Sequence, residues 1–151
     1  MALFASVRDL EVAIGSDLGT GSWYSVEQSA IDQFAEATGD RQWIHVDTER
    51  AQQGPYGTTI AHGYLLLSLL PTLTSGFISF DRQPKFRLNY GQNRVRFVTP
   101  VKSGARIRAK ATLTAVKPMP TGLCVTQSVV VELEDFEKPA LVADTLTLIS
   151  D

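Results

Sequence analysis

At 151 residues, with 44% apolar and 20% charged side chains, the chain has the size and make-up of one globular domain spanning residues 1–151. Its 14 basic and 16 acidic residues leave a formal charge of −2 and no basic surplus with which to hold nucleic acid. The one cysteine, Cys124, excludes an intrachain disulfide and has no companion for a metal motif, so a reducing cytoplasm is the expected compartment.

The first stretch, MALFASVRDLEVAIG, carries Asp9 and Glu11 and lacks a basic region followed by an apolar block, so it does not read as a signal peptide. Ser25-Val26-Glu27-Gln28 fits a capping box, with Ser25 as N-cap and Gln28 reaching back. Ile31, Phe34 and Ala35, flanked by Ala30 and Thr38, then make a helical apolar stripe. Gly39 stops that helix, because glycine takes a left-handed backbone without steric cost. Asp47 to Thr59 reads as loop, with Gly54-Pro55 and Gly57 inside it. The apolar run from Ile60 to Leu73 is too short to span a bilayer and contains His62 and Pro71. His62 to Leu70 is apolar nearly all round, which predicts a buried helix that Pro71 ends or kinks.

From Lys85 the period changes to two. Ile107, Ala109, Ala111, Leu113 and Ala115 alternate with polar neighbours, and Leu123, Val125, Val129, Val131 and Leu133 repeat the pattern after a turn at Pro118 to Gly122. Glu137-Lys138-Pro139 turns the chain again. One apolar helix and several long antiparallel strands predict an α+β fold, a sheet curled around the helix.

Candidate chemistry gathers around the only two histidines, His45 and His62. Asp40 lies five residues before His45. An extended chain would separate them by about 16–18 Å, and one straight helix would put them about 7.5 Å apart along its axis on diverging faces. Arg41 to Ile44 must bend if a carboxylate and an imidazole are to hold one water and move protons both ways. The plainer readings are a satisfied core imidazole for His45 and a helix-end residue for Asp40. Ala61-His62-Gly63 opens the buried helix, where an unpaired N–H could receive an oxyanion and Gly63 would let it approach. A glycine needed only for packing is the alternative.

Phe34-x-x-x-Thr38-Gly39-Asp40-x-x-x-x-His45-x-Asp47, followed by Ile60-Ala61-His62-Gly63, resembles the MaoC-like hydratase/dehydratase family, which includes R-specific enoyl-CoA hydratases and NodN-like proteins. The likeness begins at Gly19-Thr20-Gly21-Ser22-Trp23 and extends through Arg94 to Gly104. Where the family often has Asn-Pro between acid and histidine, this chain has Gln42-Trp43, so the bend must be held without a proline. It also has Pro71 where some relatives place a serine.

The resemblance implies a hot-dog fold with a long central helix, a homodimer, and reversible syn hydration of trans-2-enoyl-CoA to (3R)-3-hydroxyacyl-CoA. It implies Asp40 and His45 as the catalytic pair and the Gly63 N–H as oxyanion donor. It implies no metal or other cofactor, since coenzyme A belongs to the substrate, and no nucleic acid or membrane partner. Candidate substrate contacts are His62, then Tyr56, Ile60, Tyr64 and Leu65 lining an acyl tunnel, and Arg94 with Arg87, Arg96 and Lys102 toward the coenzyme A phosphates. Core packing and solvated strand charge are the respective alternatives. Three other activities remain open: a 3-hydroxyacyl-carrier-protein dehydratase, a hot-dog thioesterase, and a non-catalytic acyl-thioester-binding subunit.

Overall fold

The computed structural model describes residues 2–150. Strand β1 (Ala2–Phe4) pairs in parallel with β4 (Ile78–Phe80), and a 3₁₀ segment, Val7–Ala13, follows it and buries Val7 and Leu10. The main sheet is antiparallel, in the order β2 (Asp17–Thr20), β6 (Arg106–Met119), β7 (Gly122–Leu133), β8 (Leu141–Ser150), β5 (Phe86–Phe97); β3 (Tyr24–Ser25) also pairs with β6. The period-two pattern explains β6 and β7. Ile107, Ala109, Ala111 and Leu113 are buried on one face of β6, and Val129, Val131 and Leu133 continue that face on β7.

The helical elements are α1 (Gln28–Thr38), α2 (Trp43–Val46), α3 (Thr48–Gln52), α4 (Gly63–Ser68) and α5 (Leu70–Leu73). Leu65, Leu66, Leu70 and Leu73 pack into the same core as Ile107, Val129 and Leu141, so the sheet does curl around the apolar helical segment. The expected long central helix is instead six residues, a junction at Leu69, and a four-residue turn. Pro71 lies at the start of α5, where its missing N–H interrupts no ladder bond. Nor is the segment buried all round, because Tyr64 remains 69% exposed.

A second expectation changes at α1. Ser25 belongs to β3, and the N-cap is Glu27, which makes no side-chain cap bond. Gln28 does not reach back; its side chain is used elsewhere. Strand β5 is the sheet edge beside β8, and Val95 is its only residue that is not exposed.

Candidate active site

Helix α1 ends where the sequence says it should. Gly39 adopts φ 79°, and its N–H closes on the Ala35 carbonyl at 2.8 Å. Asp40 follows with an exposed side chain, and the chain turns into α2, opened by His45 N–H to the Gln42 carbonyl at 2.9 Å. This single helical turn supplies the bend that the missing proline left unexplained. Asp47 then caps α3 by accepting from Arg50 N–H at 3.0 Å. Trp43 is half-buried, with the Arg50 guanidinium 4.5 Å above its ring. A Cβ at Gly54 would come within 3.0 Å of the indole, so Gly54 permits that packing.

His45 is buried. Its Nδ1 lies 2.7 Å from the Ile60 carbonyl, and a carbonyl only accepts, so Nδ1 carries the hydrogen. The neutral ring therefore holds its lone pair on Nε2. Ile60 returns the contact through its N–H to the Ile44 carbonyl at 3.0 Å. The main-chain carbonyl of His45 accepts from Gln28 Nε2 at 2.8 Å, and Gln28 Oε1 accepts from the buried Thr59 hydroxyl at 2.5 Å. Helix α1 and the segment before α4 thus both grip the α2 turn.

His62, 2% exposed, stacks its ring on that of His45 with centroids 3.8 Å apart and planes 25° from parallel. Phe34 lies 5.0 Å from His62. His62 Nε2–H donates to the Asp40 carbonyl at 2.8 Å, and Nδ1, buried, has no hydrogen-bond partner among the described residues. One polar atom from each of Asp40, His45 and His62 falls within 4.8 Å of the other two. Burial pushes the His45 pKa below its usual value, opposed by the Ile60 bond; the facing His62 lowers it further, and Asp40 opposes. The lowered pKa favours the neutral imidazole, whose Nε2 makes no hydrogen bond among the described residues, beside the Asp40 carboxylate. That pair can bind a water by its hydrogens and take a proton from it. A carboxylate and two imidazoles are also metal-ligand types, but stacked rings send their in-plane lone pairs along separate planes rather than toward one ion.

The remaining candidates are dispersed. Gly63 is the first residue of α4, so its N–H has no intrahelical acceptor. With six residues, α4 adds little dipole, and the donor itself is what Gly63 offers. A Cβ there would sit 2.9–3.0 Å from ring carbons of Phe97, so close packing is real at this position. Ile60 is buried beside His45, Tyr56 is at the surface, and Tyr64 makes an edge contact with Phe97 at 5.9 Å. Arg94, at φ 51°, folds onto the buried Asp144, with Nε 2.5 Å from Oδ2. Arg87 and Arg96 donate to the carbonyls of Ile78 and Val95. A cavity of about 650 Å³, lined by Pro71, Thr74, Arg87, Asn89 and Thr145 among others, lies between α4–α5 and the β5 side of the sheet. None of Asp40, His45, Tyr56, Ile60, Tyr64 or Leu65 lines it.

Sequence reasoning missed Gln28 and Thr59 as supports of His45. The one available signal was a glutamine at the first position of a helix, and the Ser-x-x-Gln spacing explained it away as a cap.

The MaoC like domain model matches residues 9–134. The chain is 46% identical over 147 residues to 3-hydroxyacyl-thioester dehydratase Z of Mycobacterium tuberculosis, covering 97% of each chain. It is 43% identical over 146 residues to Nodulation protein N of Rhizobium leguminosarum bv. viciae, covering 95% of this chain and 91% of that one. Among solved structures it is similar in fold to the (R)-hydratase from A. caviae involved in PHA biosynthesis, with TM-score 0.72 and 20% identity over 89% of this chain and 95% of that one.

Proposed function

This chain belongs to the MaoC-like domain family, and from that premise we propose that it adds water reversibly to trans-2-enoyl-CoA, giving (3R)-3-hydroxyacyl-CoA. The family comprises (R)-hydratases and 3-hydroxyacyl-thioester dehydratases of hot-dog fold, hydro-lyases that act without a cofactor. Among the described residues no helix is long and apolar enough to cross a membrane.

The observation that carries the proposal is the Asp40–His45 pair, with functional atoms within 4.8 Å and His45 tied as a donor at Nδ1. A water held between the carboxylate and His45 Nε2 attacks the β-carbon of the enoyl thioester. As the C–O bond forms, the pair takes one proton from the water. The π electrons move to the α-carbon and thioester oxygen, and the pair returns one proton to the α-carbon. Both transfers come from one face, so the addition is syn, and atoms balance without another donor. The Gly63 N–H donates a hydrogen bond to the thioester oxygen as it gains enolate character. Run backward, the same steps dehydrate a 3-hydroxyacyl thioester. The relative of that name at 46% identity favours this direction as the second reading, on coenzyme A or a carrier protein.

A homodimer accompanies the proposal. The edge strand β5 exposes Phe86, Leu88, Tyr90 and Phe97, and an unpaired edge with apolar side chains invites pairing with a second copy.

The test offers a short enoyl-CoA and follows the enoyl chromophore and free thiol together. Loss of chromophore without thiol is the expected result. Thiol release would make the protein a thioesterase, and neither change would leave a binding subunit.

A further inference from the structure

Every substituent of the His62 ring is accounted for except one. Its Nε2–H is spent on the Asp40 carbonyl, one face covers His45, and Phe34 lies alongside. Its remaining polar atom, Nδ1, is the one buried side-chain nitrogen or oxygen without a partner among the described residues. An orphaned buried acceptor is unfavourable, and such groups in a native fold call for an explanation. Filling the space would not need an imidazole, because phenylalanine stacks equally well without an orphan. Bonding a carbonyl would not need one either, because an amide does that. Imidazole combines a flat face with an N–H at its edge in a small ring, and both are in use here, on the two residues assigned to the water.

Asp40 has few other restraints. It follows a left-handed glycine, its side chain is exposed, and its own N–H reaches only to Thr38 Oγ1 at 3.4 Å. The carbonyl bond from His62 therefore ties the Asp40 main chain to the residue that opens α4.

We propose that His62 is a positioning residue: its Nε2–H clamps the Asp40 main chain while its face backs the His45 ring, so that one side chain sets the spacing of carboxylate and imidazole. This rests on the reading of Asp40 and His45 as the water-handling pair. The geometry makes His62 a strut and not a contact for the acyl chain, since the residue is 2% exposed. It also requires the two histidines to hold opposite tautomers, hydrogen on Nδ1 in His45 and on Nε2 in His62. The lowered pKa of His45, to which the facing His62 contributes, agrees with a stack that does not carry two charges.

Two measurements test it. The chain has only two histidines, so ¹⁵N spectra of the wild-type protein contain two imidazoles. Near pH 7 one should be the Nδ1–H tautomer and the other Nε2–H, with His62→Asn removing the second. Finding Nδ1–H at His62 would overturn the clamp whatever the protein catalyses, and this readout needs no variant of the pair to fold. The second measurement is hydration kinetics. His62→Gln places an amide nitrogen where Nε2 stood, whereas His62→Asn and His62→Phe do not reach. Misplacement of a catalytic group by about 1 Å costs on the order of 100-fold in rate, so kcat should fall roughly 10- to 100-fold in Asn and Phe, less in Gln, with KM little changed in all three. Wild-type kcat in His62→Phe, or a raised KM at unchanged kcat, overturns the proposal. If the wild-type protein hydrates no enoyl thioester, the functional reading fails while the tautomers still decide the clamp.

Discussion

The side-chain amide of Gln28 meets the main-chain carbonyl of His45 at 2.8 Å, across seventeen residues of chain. Gln28 opens α1, and His45 sits in the one-turn helix beyond that helix's end. The contact turns the α1–α2 junction back on itself, and Thr59 completes it from the other side at 2.5 Å. The bend between acid and histidine is thereby held by tertiary hydrogen bonds in a chain that has Gln42-Trp43 in place of Asn-Pro.

Gln28→Leu should weaken that junction. It leaves the His45 carbonyl and the buried Thr59 hydroxyl without their partner, and each such loss costs about 1–3 kcal/mol. In a chain of this size each kcal/mol lowers Tm by about 2–4 °C. Thermal melting and hydration kinetics should show a lower Tm together with a lower kcat. An unchanged kcat would mean that the amide supports the fold alone.

The pH response of His45 has a definite sign. Its folded pKa lies below the usual value, chiefly through burial. As pH falls below about 6.5, the unfolded chain binds the proton first, so stability declines until pH passes the folded value, where this slope ends. Above about 6.5 the group adds no slope. Tm measured from pH 5 to 7.5 should therefore fall on the acid side less steeply in His45→Gln than in wild type. The acid limb of kcat/KM should likewise lie below 6.5 if His45 must start neutral. A limb centred above that value contradicts the assignment.

Gly63→Ala by itself confuses two effects, because the new methyl group meets the Phe97 ring at 2.9–3.0 Å. Phe97 is 46% exposed, and the ring atoms in the way are its Cγ, Cδ1 and Cδ2, so Gly63→Ala belongs in a Phe97→Ala background, which removes all three. If the Gly63 N–H serves the developing enolate, turnover in the double variant stays about 100- to 1,000-fold below that of Phe97→Ala, with substrate affinity nearly unchanged. Recovery of turnover in the double variant would return Gly63 to packing.

Strand β5 carries the prediction about assembly. Leu88→Glu with Tyr90→Glu places charge on an edge that exposes more than half of both side chains in the single chain. Sedimentation should show a dimer for wild type at micromolar concentration and a monomer for the variant. A wild-type monomer that is fully active would contradict the homodimer.

What the sequence disclosed follows the reach of each interaction. Strands β6 and β7 were legible because Ile107 to Leu113 and Val129 to Leu133 bury one face and expose the other, a strictly local pattern. Strand β5 shares the period-two pattern that begins at Lys85, but almost every residue of it is exposed in the single chain, so alternation gave the strand and not its place at the sheet edge. Asp40 and His45 stood out through their short spacing after Gly39. Gln28 and Thr59 did not, because a bond across 31 residues leaves no local trace, and Ser25-x-x-Gln28 imitated a cap that the backbone does not form. The break at Leu69 in the apolar run was visible only through Pro71, which marks the place without giving the length of either half.

The central claim is that Asp40 and His45 act together on one water. Hydration of a short enoyl-CoA by Asp40→Asn, His45→Gln and the double variant tests it most directly. General acid–base groups typically contribute about 100- to 10,000-fold, and groups that act as a unit are not additive. Each single variant should lose turnover within that range while keeping its Tm near wild type at neutral pH, and the double variant should be little worse than either. Near-normal hydration by either single variant, or losses that multiply in the double, would contradict the account.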